Sequence, residues 1–489
     1  MLTWTRRPII YEINTYVWLD ELSRREKRRV HLGNIPSQDW EAVASFGVDA
    51  VWLMGVWERS PLGLEIANRN EGLQADFRRA LPDVTQDDIV GSPYCVRRYV
   101  VDESLGGPAG LAKARKQLAD RGIRLILDFV PNHVAPDHPW IVEHPEFFVQ
   151  GSVADLNEKP GDFFQAGATI VANGRDPYFA PWPDVAQLNA FNPGLRQAAK
   201  DTVNSIADQC DGMRCDMAML MTNPIFERTW GARAGQMPQT EYWPEVIGAA
   251  RKRHPHVLFI AEAYWDMEWQ LQQHGFDYCY DKRLYDRLEH DGGESVRLHL
   301  CADPAYQEKL VRFIENHDEP RAAATFSPMK ERAAAVTMMT VPGAKLLHEG
   351  QFEGYKTRLP VFLRRRPEEP TDQELTAFYR KLLKAVNHSG LRDADWQLCE
   401  RSGWPDNPSF QNLVAWGWRK GETHSLVVGN LSNGRSQGQI RAAWDDLRGR
   451  FWRLTDAFTG QVYERAGDQL VAEGLYVDLE PWGFHFFSF

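Results

Sequence analysis

Short hydrophobic runs alternate with longer amphipathic runs over most of this chain. The short runs have the length and composition of buried parallel strands, whereas the longer runs carry their apolar residues on one helical face. The pattern predicts eight strands: Ile9–Val17, Ala50–Leu53, Arg124–Phe129, a run that begins at Gly212, Val257–Ala261, Phe276–Tyr280, Val311–Ile314 and Ala344–His348. Eight strands in this alternation predict a closed α/β barrel, the TIM (β/α)8 fold, rather than an open sheet.

Four of the longer runs predict helices between these strands. They lie at Asp39–Phe46, Leu111–Ala119, Leu195–Ala207 and Trp243–Arg253. Asp39 is a residue type that caps helix N-termini, so we expect it to begin the first of them.

Two segments interrupt the alternation of strands and helices that predicts the barrel. Residues 134–192 are rich in Pro, Gly, Asp and aromatic residues and far exceed an ordinary strand-to-helix loop. They predict a small inserted domain after the third strand, which leaves residues 1–133 and 193–387 for the barrel. The charged stretch Glu58–Val90 predicts a solvated surface excursion.

The last hundred residues have a different pattern of hydrophobic and polar positions. Alternating runs such as Leu413–Trp418 and Ser425–Asn430 are separated by Gly, Asn and Ser turns. This is typical of an antiparallel β-sandwich, which we assign to residues 388–489.

Composition narrows the class of protein. The 489 residues carry a net charge of −11, which argues against a nucleic acid or an anionic membrane as partner. The 18 tryptophans suit a carbohydrate binder, although most of them are expected in the core.

The six cysteines form no CxxC pair, so we expect free buried thiols and no zinc site. With no visible export signal we expect a cytoplasmic location; a chain trimmed of its signal peptide is the competing explanation.

Polar residues follow four of the predicted strands directly. In a parallel barrel the C-terminal strand ends converge on one mouth, where such enzymes do chemistry. This would bring together three carboxylates, two imidazoles and a guanidinium: Asp216, Glu262, Asp318, His133, His317 and Arg214. Paired carboxylates at neighbouring strand ends suit cleavage of a glycosidic bond, with Asp216 as nucleophile and Glu262 as general acid.

Arg214 lies two residues before Asp216, so both side chains point into the mouth and the arginine should keep Asp216 ionised. The apolar residues around Glu262 should raise its pKa. Trp265, three residues further, is a candidate sugar contact. A metal cluster built from the histidines and acids is the rival interpretation, and the charge of Arg214 counts against it.

The four segments resemble, in order and spacing, the four signature regions of the α-amylase family of glycoside hydrolases. The resemblance implies the nucleophile role for Asp216, acid/base for Glu262, and transition-state stabilisation by His317 and Asp318. It implies sugar contacts for Tyr94 and His133 and a buttressing role for Asp128. Residues 182–189 resemble a fifth region at the end of the family's inserted domain.

The sequence departs from the family at several positions. Met219 and Leu220 replace a Lys-His pair that contacts the leaving side of the substrate in many members. Arg97 and Arg98 stand where an Asp is frequent, and they predict either an anion site or surface salt bridges. Asn132 matches a family calcium ligand and Asp184 could be another. We therefore expect no required cofactor, with calcium possible.

These observations predict a retaining α-glycoside hydrolase that acts on α-glucans or maltooligosaccharides. The alternative is a transglycosylase, a sugar phosphorylase or a trehalose-type isomerase that uses the same glucosyl-enzyme. The apolar Met219–Leu220 pair fits an altered acceptor site and keeps this alternative open. A carbohydrate-binding protein without catalysis is a third hypothesis, against which the presence of all three acids argues.

Overall fold

The computed structural model of the chain describes residues 4–489, and its centre is a closed barrel of eight parallel strands. In chain order they are β1 Ile9–Asn14, β2 Ala50–Met54, β3 Arg124–Phe129, β4 Gly212–Cys215, β5 Leu258–Ala261, β6 Tyr278–Tyr280, β7 Leu310–Arg312 and β8 Ala344–His348. Each strand pairs with its neighbour in sequence, and β8 pairs with β1 to close the ring. The predicted (β/α)8 fold is confirmed.

The first predicted strand was too long. The chain leaves β1 at Asn14, whose side-chain oxygen accepts a hydrogen bond from the backbone N–H of Val17 at 3.4 Å. This cap starts a helix at Thr15, so the last three residues of the predicted strand are helical.

Helices connect the barrel strands on its outside. They span Thr15–Glu26, Ser37–Ser45, Pro61–Arg69, Glu71–Ala80, Gly107–Ala119, Pro193–Ala207, Asn223–Trp230, Tyr242–Arg253, Glu268–Gln273, Lys282–His290, Gly293–Leu300, Pro304–Glu308, Ala322–Thr325, Pro328–Thr340 and Gln373–His388. The prediction that Asp39 caps its helix was wrong. The helix begins at Ser37, and the Asp39 carboxylate instead pairs with Arg25 at 2.6 Å.

The segment Glu58–Val90 is more ordered than its charge indicated. It contains the end of a short strand, Trp57–Arg59, and the helices Pro61–Arg69 and Glu71–Ala80. Phe77 and Leu81 are buried and pack with Ile89 and Leu363 in a small separate core. The segment Glu58–Val90 therefore packs against the residues that follow β8.

The insertion between β3 and β4 forms its own antiparallel sheet of four strands. Its strands are His133–Val134, Trp182–Gln187, Thr169–Gly174 and Phe163–Ala166 in spatial order, accompanied by the short helices Trp140–Glu143 and Val153–Glu158. Phe148, Val171 and Leu188 belong to its core. This sheet lies on the side of the barrel where β3 ends.

The C-terminal part is built from antiparallel sheets, as predicted. A six-stranded sheet has the spatial order Asp395–Leu398, Leu413–Lys420, Thr423–Asn430, Phe484–Ser488, Phe451–Asp456 and Val462–Ala466. A three-stranded sheet contains Glu400–Ser402, Ser436–Arg441 and Leu475–Leu479, and a helix spans Gly467–Ala472. Trp416 and Trp418 of the larger sheet pack into the barrel core, and the Trp418 indole donates to the carbonyl of Thr340 at 2.8 Å.

All six cysteines are free thiols, but Cys301 is exposed rather than buried as expected. Within residues 4–489, none of the helices combines the length and the apolar character that crossing a membrane requires.

Candidate active site

Asp216 directly follows β4 and is held by its own strand and by the neighbouring one. Its backbone N–H donates to the carbonyl of Phe129 at 2.9 Å, and its Oδ1 accepts from Nη1 of Arg214 at 2.8 Å. The side chain is only 7% exposed. Burial raises the pKa of Asp216 to about 6, against the lowering effect of Arg214.

Glu262 directly follows β5, the strand beside β4. Its Oε2 lies 2.7 Å from Nη2 of Arg214 and accepts from the backbone N–H of Met217 at 2.6 Å. Its Oε1 accepts from the Tyr264 hydroxyl at 3.1 Å. Burial, reinforced by the Asp216 charge, outweighs Arg214 and raises the pKa of Glu262 to about 7.

Met217, between the two acids, has a left-handed backbone with a φ of 42°. A non-glycine residue pays roughly 1–2 kcal/mol for this conformation. The turn begins the helical turn Ala218–Met221 and places the Met217 N–H on Glu262. Backbone strain of this kind clusters at functional sites.

Asp318 lies beyond β7 and opens to the cleft, since its side chain is 46% exposed. Its Oδ2 lies 2.9 Å from Nε2 of His317, whose Nδ1 contacts Oε1 of Glu12. Partial desolvation would raise the pKa of Asp318, but the charge and hydrogen bond of His317, together with the more distant arginines, lower it to about 2. The pKa of His317 is well above its ordinary value, because the two carboxylates outweigh burial.

Arg214 is enclosed by aromatic rings as well as acids. Its guanidinium carbon lies 5.2 Å from the ring centres of Trp52 and Tyr94 and 5.7 Å from that of Tyr280. These π-faces add a favourable contact with the cation. The group is 1% exposed, so its charge acts on the acids without solvent screening.

Asp128 and Tyr94 lie beside this cation. Asp128 accepts from the Trp52 indole and the Gly55 N–H, both at 3.2 Å, and lies 3.8 Å from Arg214. Burial raises the pKa of Asp128 to about 6. The Tyr94 hydroxyl lies 2.6 Å from Nε2 of His317, and the two rings are stacked.

His133 is buried beside Trp182 of the insertion, with ring centres 5.3 Å apart. Burial lowers the pKa of His133 to about 4, so its imidazole is neutral at pH 7.

The neighbouring Asn132 forms a reciprocal amide pair with Gln187, at 2.9 and 3.3 Å. That pairing uses one of the two lone pairs of the Asn132 amide oxygen, the atom that would bind calcium. Asp184 is half-buried, and burial raises the pKa of its carboxyl to about 6. Across residues 4–489, no three His, Cys, Asp or Glu side chains are grouped so as to hold a metal ion.

Trp265 meets the insertion across the mouth. Its ring contacts Tyr178 edge-on at 4.8 Å, and the Tyr178 hydroxyl accepts from Nη1 of Arg228 at 3.0 Å. Tyr178 is half-exposed, and Trp265 and Asp266 both have left-handed backbones with a φ of 61°. Tyr178 and Trp265, which we call the aromatic bridge, therefore connect the insertion to the loop after β5. Arg228 connects this bridge to the helix after β4.

At two places where the sequence departs from the family, the side chains are either packed in the interior or form salt bridges. Met219 and Leu220 are 0% and 2% exposed, so they belong to the interior and do not line the open cleft. The altered acceptor site that the apolar pair suggested is therefore not lined by these two side chains. Arg97 and Arg98 both pair with Glu58, at 2.5 and 2.8 Å, as the salt-bridge alternative predicted.

Among the contacts of the site that were not anticipated from the sequence are Glu12, Trp52, Tyr178 and Tyr264. Glu12 carried a signal, because it is an acid within an otherwise apolar run that ends at the same mouth. The other three are aromatic residues, which the composition made too common to single out.

Curated proteins similar to this chain are enzymes of α-glucan metabolism by name. Alpha-amylase MalA of Haloarcula japonica is 25% identical over 95% of this chain and 60% of its own length. Alpha-amylase 2 of Dictyoglomus thermophilum is 23% identical over 75% of this chain and 61% of its own. The chain thus spans about 60% of the length of these relatives.

Solved structures share the whole architecture. A maltogenic alpha-amylase of Thermotoga neapolitana superposes with a TM-score of 0.70 at 20% identity, and an alpha-amylase of Lactobacillus plantarum with 0.69 at 19%. Each comparison covers 99% of both chains, and at these identities it establishes the fold. The family model described as alpha amylase, catalytic domain, matches residues 41–415, and the chain therefore belongs to the alpha-amylase family.

Proposed function

We propose that this protein hydrolyses α-glucosidic bonds in α-linked glucose oligosaccharides or polysaccharides with retention of anomeric configuration. The observation that carries the proposal is the placement of Asp216 and Glu262, two buried carboxylates at neighbouring strand ends that contact one guanidinium. Retaining glycosidases use such a pair, with carboxyl groups about 5–5.5 Å apart. Membership of the alpha-amylase family supports an α-linked glucose substrate.

Asp216 is the nucleophile in this proposal. A pKa of about 6 leaves its carboxyl mostly ionised at pH 7. It attacks the anomeric carbon as the glycosidic oxygen departs, which forms a covalent glucosyl ester. Arg214 fixes the Oδ1 atom, so the attacking group is positioned before substrate binds.

Glu262 is the general acid and then the base. A pKa of about 7 leaves a large fraction protonated at neutral pH, which an acid in this role needs. It gives its proton to the leaving oxygen in the first step. In the second step it removes a proton from the water that attacks the anomeric carbon and frees Asp216. One water is consumed, and both acids return to their starting protonation states.

Asp318 supports the sugar between these steps. Its low pKa keeps it a carboxylate in the exposed cleft, where it can accept from sugar hydroxyls and stabilise the positive charge of the oxocarbenium-like transition state. Tyr94 offers an aromatic face for the same sugar. His133 is neutral and can both donate and accept a hydrogen bond there.

Transfer of the glucosyl group to another sugar or to phosphate would use the same covalent intermediate. We keep this transfer reaction as the second candidate because the Tyr178–Trp265 pair offers aromatic faces near Glu262, and such faces can hold a sugar acceptor. Hydrolysis remains the first candidate.

Two conditions complete the proposal. The first condition is that the fold does not require calcium, which the hydrogen bond between the Asn132 and Gln187 amides supports. A chelator should then leave the Tm unchanged, and a fall in Tm would contradict this. The six free thiols suit a reducing compartment, so we also propose that the protein acts in the cytoplasm.

Product analysis on a panel of α-1,4, α-1,6 and α,α-1,1 glucosides tests the proposal. Proton NMR during the first turnovers should show the α-anomer of the released sugar before mutarotation. A β-anomer as first product would contradict retention. Products longer than the substrate, or a requirement for phosphate, would move the assignment to the transfer alternative.

A further inference from the structure

Glu12 is a buried acid of the barrel that lies against the candidate active site. It is in β1, has 0% exposure, and its register partners are Trp52 on β2 and His348 on β8. Its Oε1 contacts Nδ1 of His317, and its Oε2 accepts no hydrogen bond from any residue in the described range 4–489. A buried carboxylate placed in this way needs a cation close by.

His317 lies between two carboxylates. On one side Nδ1 faces Glu12, and on the other Nε2 lies 2.9 Å from Oδ2 of Asp318. A neutral imidazole carries one N–H, so it can donate to only one of the two acids, whereas an imidazolium donates to both. The geometry therefore favours a chain of charges that alternate from Glu12 through His317 to Asp318.

We infer that Glu12 is a positioning residue of the active site, which keeps His317 an imidazolium and directs its Nε2–H to Asp318 and to the bound sugar. Glu12 itself does not touch the substrate, because it lies behind the histidine ring. The inference deepens the proposed function, since it assigns a role to a residue outside the three acids.

The other groups around His317 agree with this charge state. His348 is also buried near Glu12, but burial and the charge of Arg321 lower its pKa well below the ordinary value, so it is neutral. The Tyr94 hydroxyl shares Nε2 and is uncharged, because burial raises its pKa well above the usual value. Asp128, on β3, adds a partial negative charge nearby.

Two further cations reach this region from other elements. Arg214 on β4 lies beyond the Tyr94 ring and is occupied by Asp216 and Glu262. Arg321 is occupied by Glu315 at 2.6 Å. Among the groups in contact with Glu12, His317 is therefore the one that can supply its countercharge.

The chain offers a matched control for a loss of buried charge. Glu315 is 1% exposed, lies just beyond β7, and pairs with Arg321 and with Nδ1 of His348 at 3.3 Å. Glu315→Gln removes a buried carboxylate beside a histidine, as Glu12→Gln does, but it leaves the contacts of His317 in place. A merely structural role of Glu12 would make the two variants behave alike.

The test is the charge state of His317, read by NMR in protein labelled with 15N-histidine and assigned by loss of its signals in His317→Gln. In the unmodified protein and in Glu315→Gln, His317 should keep both N–H protons across pH 6–8, a range about the ordinary histidine pKa. In Glu12→Gln its acid dissociation constant should rise by about tenfold or more. Because this readout needs no turnover, it stands apart from whether the protein cleaves sugars.

Activity gives a second readout. For Glu12→Gln the kcat should fall more at pH 8 than at pH 6, and KM should rise along with it if the sugar loses the Nε2–H contact. A neutral His317 at pH 7 in the unmodified protein would overturn the inference, and that result does not depend on whether Glu12→Gln folds. An unchanged His317 in Glu12→Gln, or an equal shift in Glu315→Gln, would overturn it as well.

Discussion

Nη2 of Arg214 lies 2.7 Å from Oε2 of Glu262, while Nη1 of the same side chain donates to Asp216 at 2.8 Å. One rigid cation thus fixes two acids that follow different strands. Its planar fork sets both distances together, which a lysine could not do.

Arg214→Lys should therefore lower kcat/KM by about 100-fold or more, since a single ammonium cannot hold both carboxylates. Arg214→Gln should do at least as much and should move the acid limb of the pH profile to higher pH, because removing a nearby cation raises the pKa of a carboxyl. Steady-state kinetics against pH would measure both effects, with circular dichroism to confirm folding. Near-normal turnover in Arg214→Lys would show that the shared cation is dispensable.

Loss of the acid should depend on the leaving group. Glu262→Gln should abolish cleavage of maltooligosaccharides, whose leaving oxygen needs a proton, but should largely spare the first step on aryl glucosides with acidic phenols. Stopped-flow release of the phenol measures that first step. An equal loss on both substrate classes would contradict the acid role. Glu319→Gln is the control, because Glu319 is next to Asp318 and does not contact Asp216 or Glu262.

The pH profile should be narrow and near neutral. Activity should fall as pH drops through about 6, where Asp216 gains a proton, and as pH rises through about 7, where Glu262 loses one. The kcat/KM profile of the free enzyme should therefore be bell-shaped with its maximum between these values. A profile that stays flat from pH 5 to 9 would refute the assignment of the two acids.

Much of the site could be predicted because its chemistry follows hydrophobic strands in sequence. Asp216 and Glu262 directly follow a strand, Asp318 lies in the polar segment after another, and parallel strands bring such ends to one mouth. Glu12 was not predicted as a site residue, because the strand predicted from its run continued past it to Val17. The sequence does not show that the strand ends at Asn14, whose side chain caps the following helix.

Other failures came from tertiary contacts. Met219 and Leu220 follow the nucleophile in sequence, but the left-handed turn at Met217 carries them into the core. Asp39 looked like a cap, yet its partner Arg25 lies on the preceding helix. In the first case an unusual backbone conformation outweighed the local pattern, and in the second a side-chain ion pair did.

The aromatic bridge across the mouth should govern which acceptors or chain lengths are accepted. Tyr178→Ala removes the contact with Trp265 and the hydroxyl that Arg228 binds, which should open the cleft on the insertion side. We expect KM for maltooligosaccharides to change by about threefold or more and the product lengths to shift, with kcat on an aryl glucoside preserved. Tyr178→Phe is the matched control, since it keeps the ring contact. Unchanged product lengths in Tyr178→Ala would exclude this role.

The central claim is that Asp216 forms the covalent bond to the sugar while Glu262 does not. The most direct measurement is to trap the intermediate with an activated fluorinated α-glucosyl fluoride, digest the protein, and locate the added mass by tandem mass spectrometry. The account predicts that the label lies on Asp216, in the peptide that contains Arg214 or follows it. A label on Glu262, on Asp318 or on any other carboxylate would contradict the account.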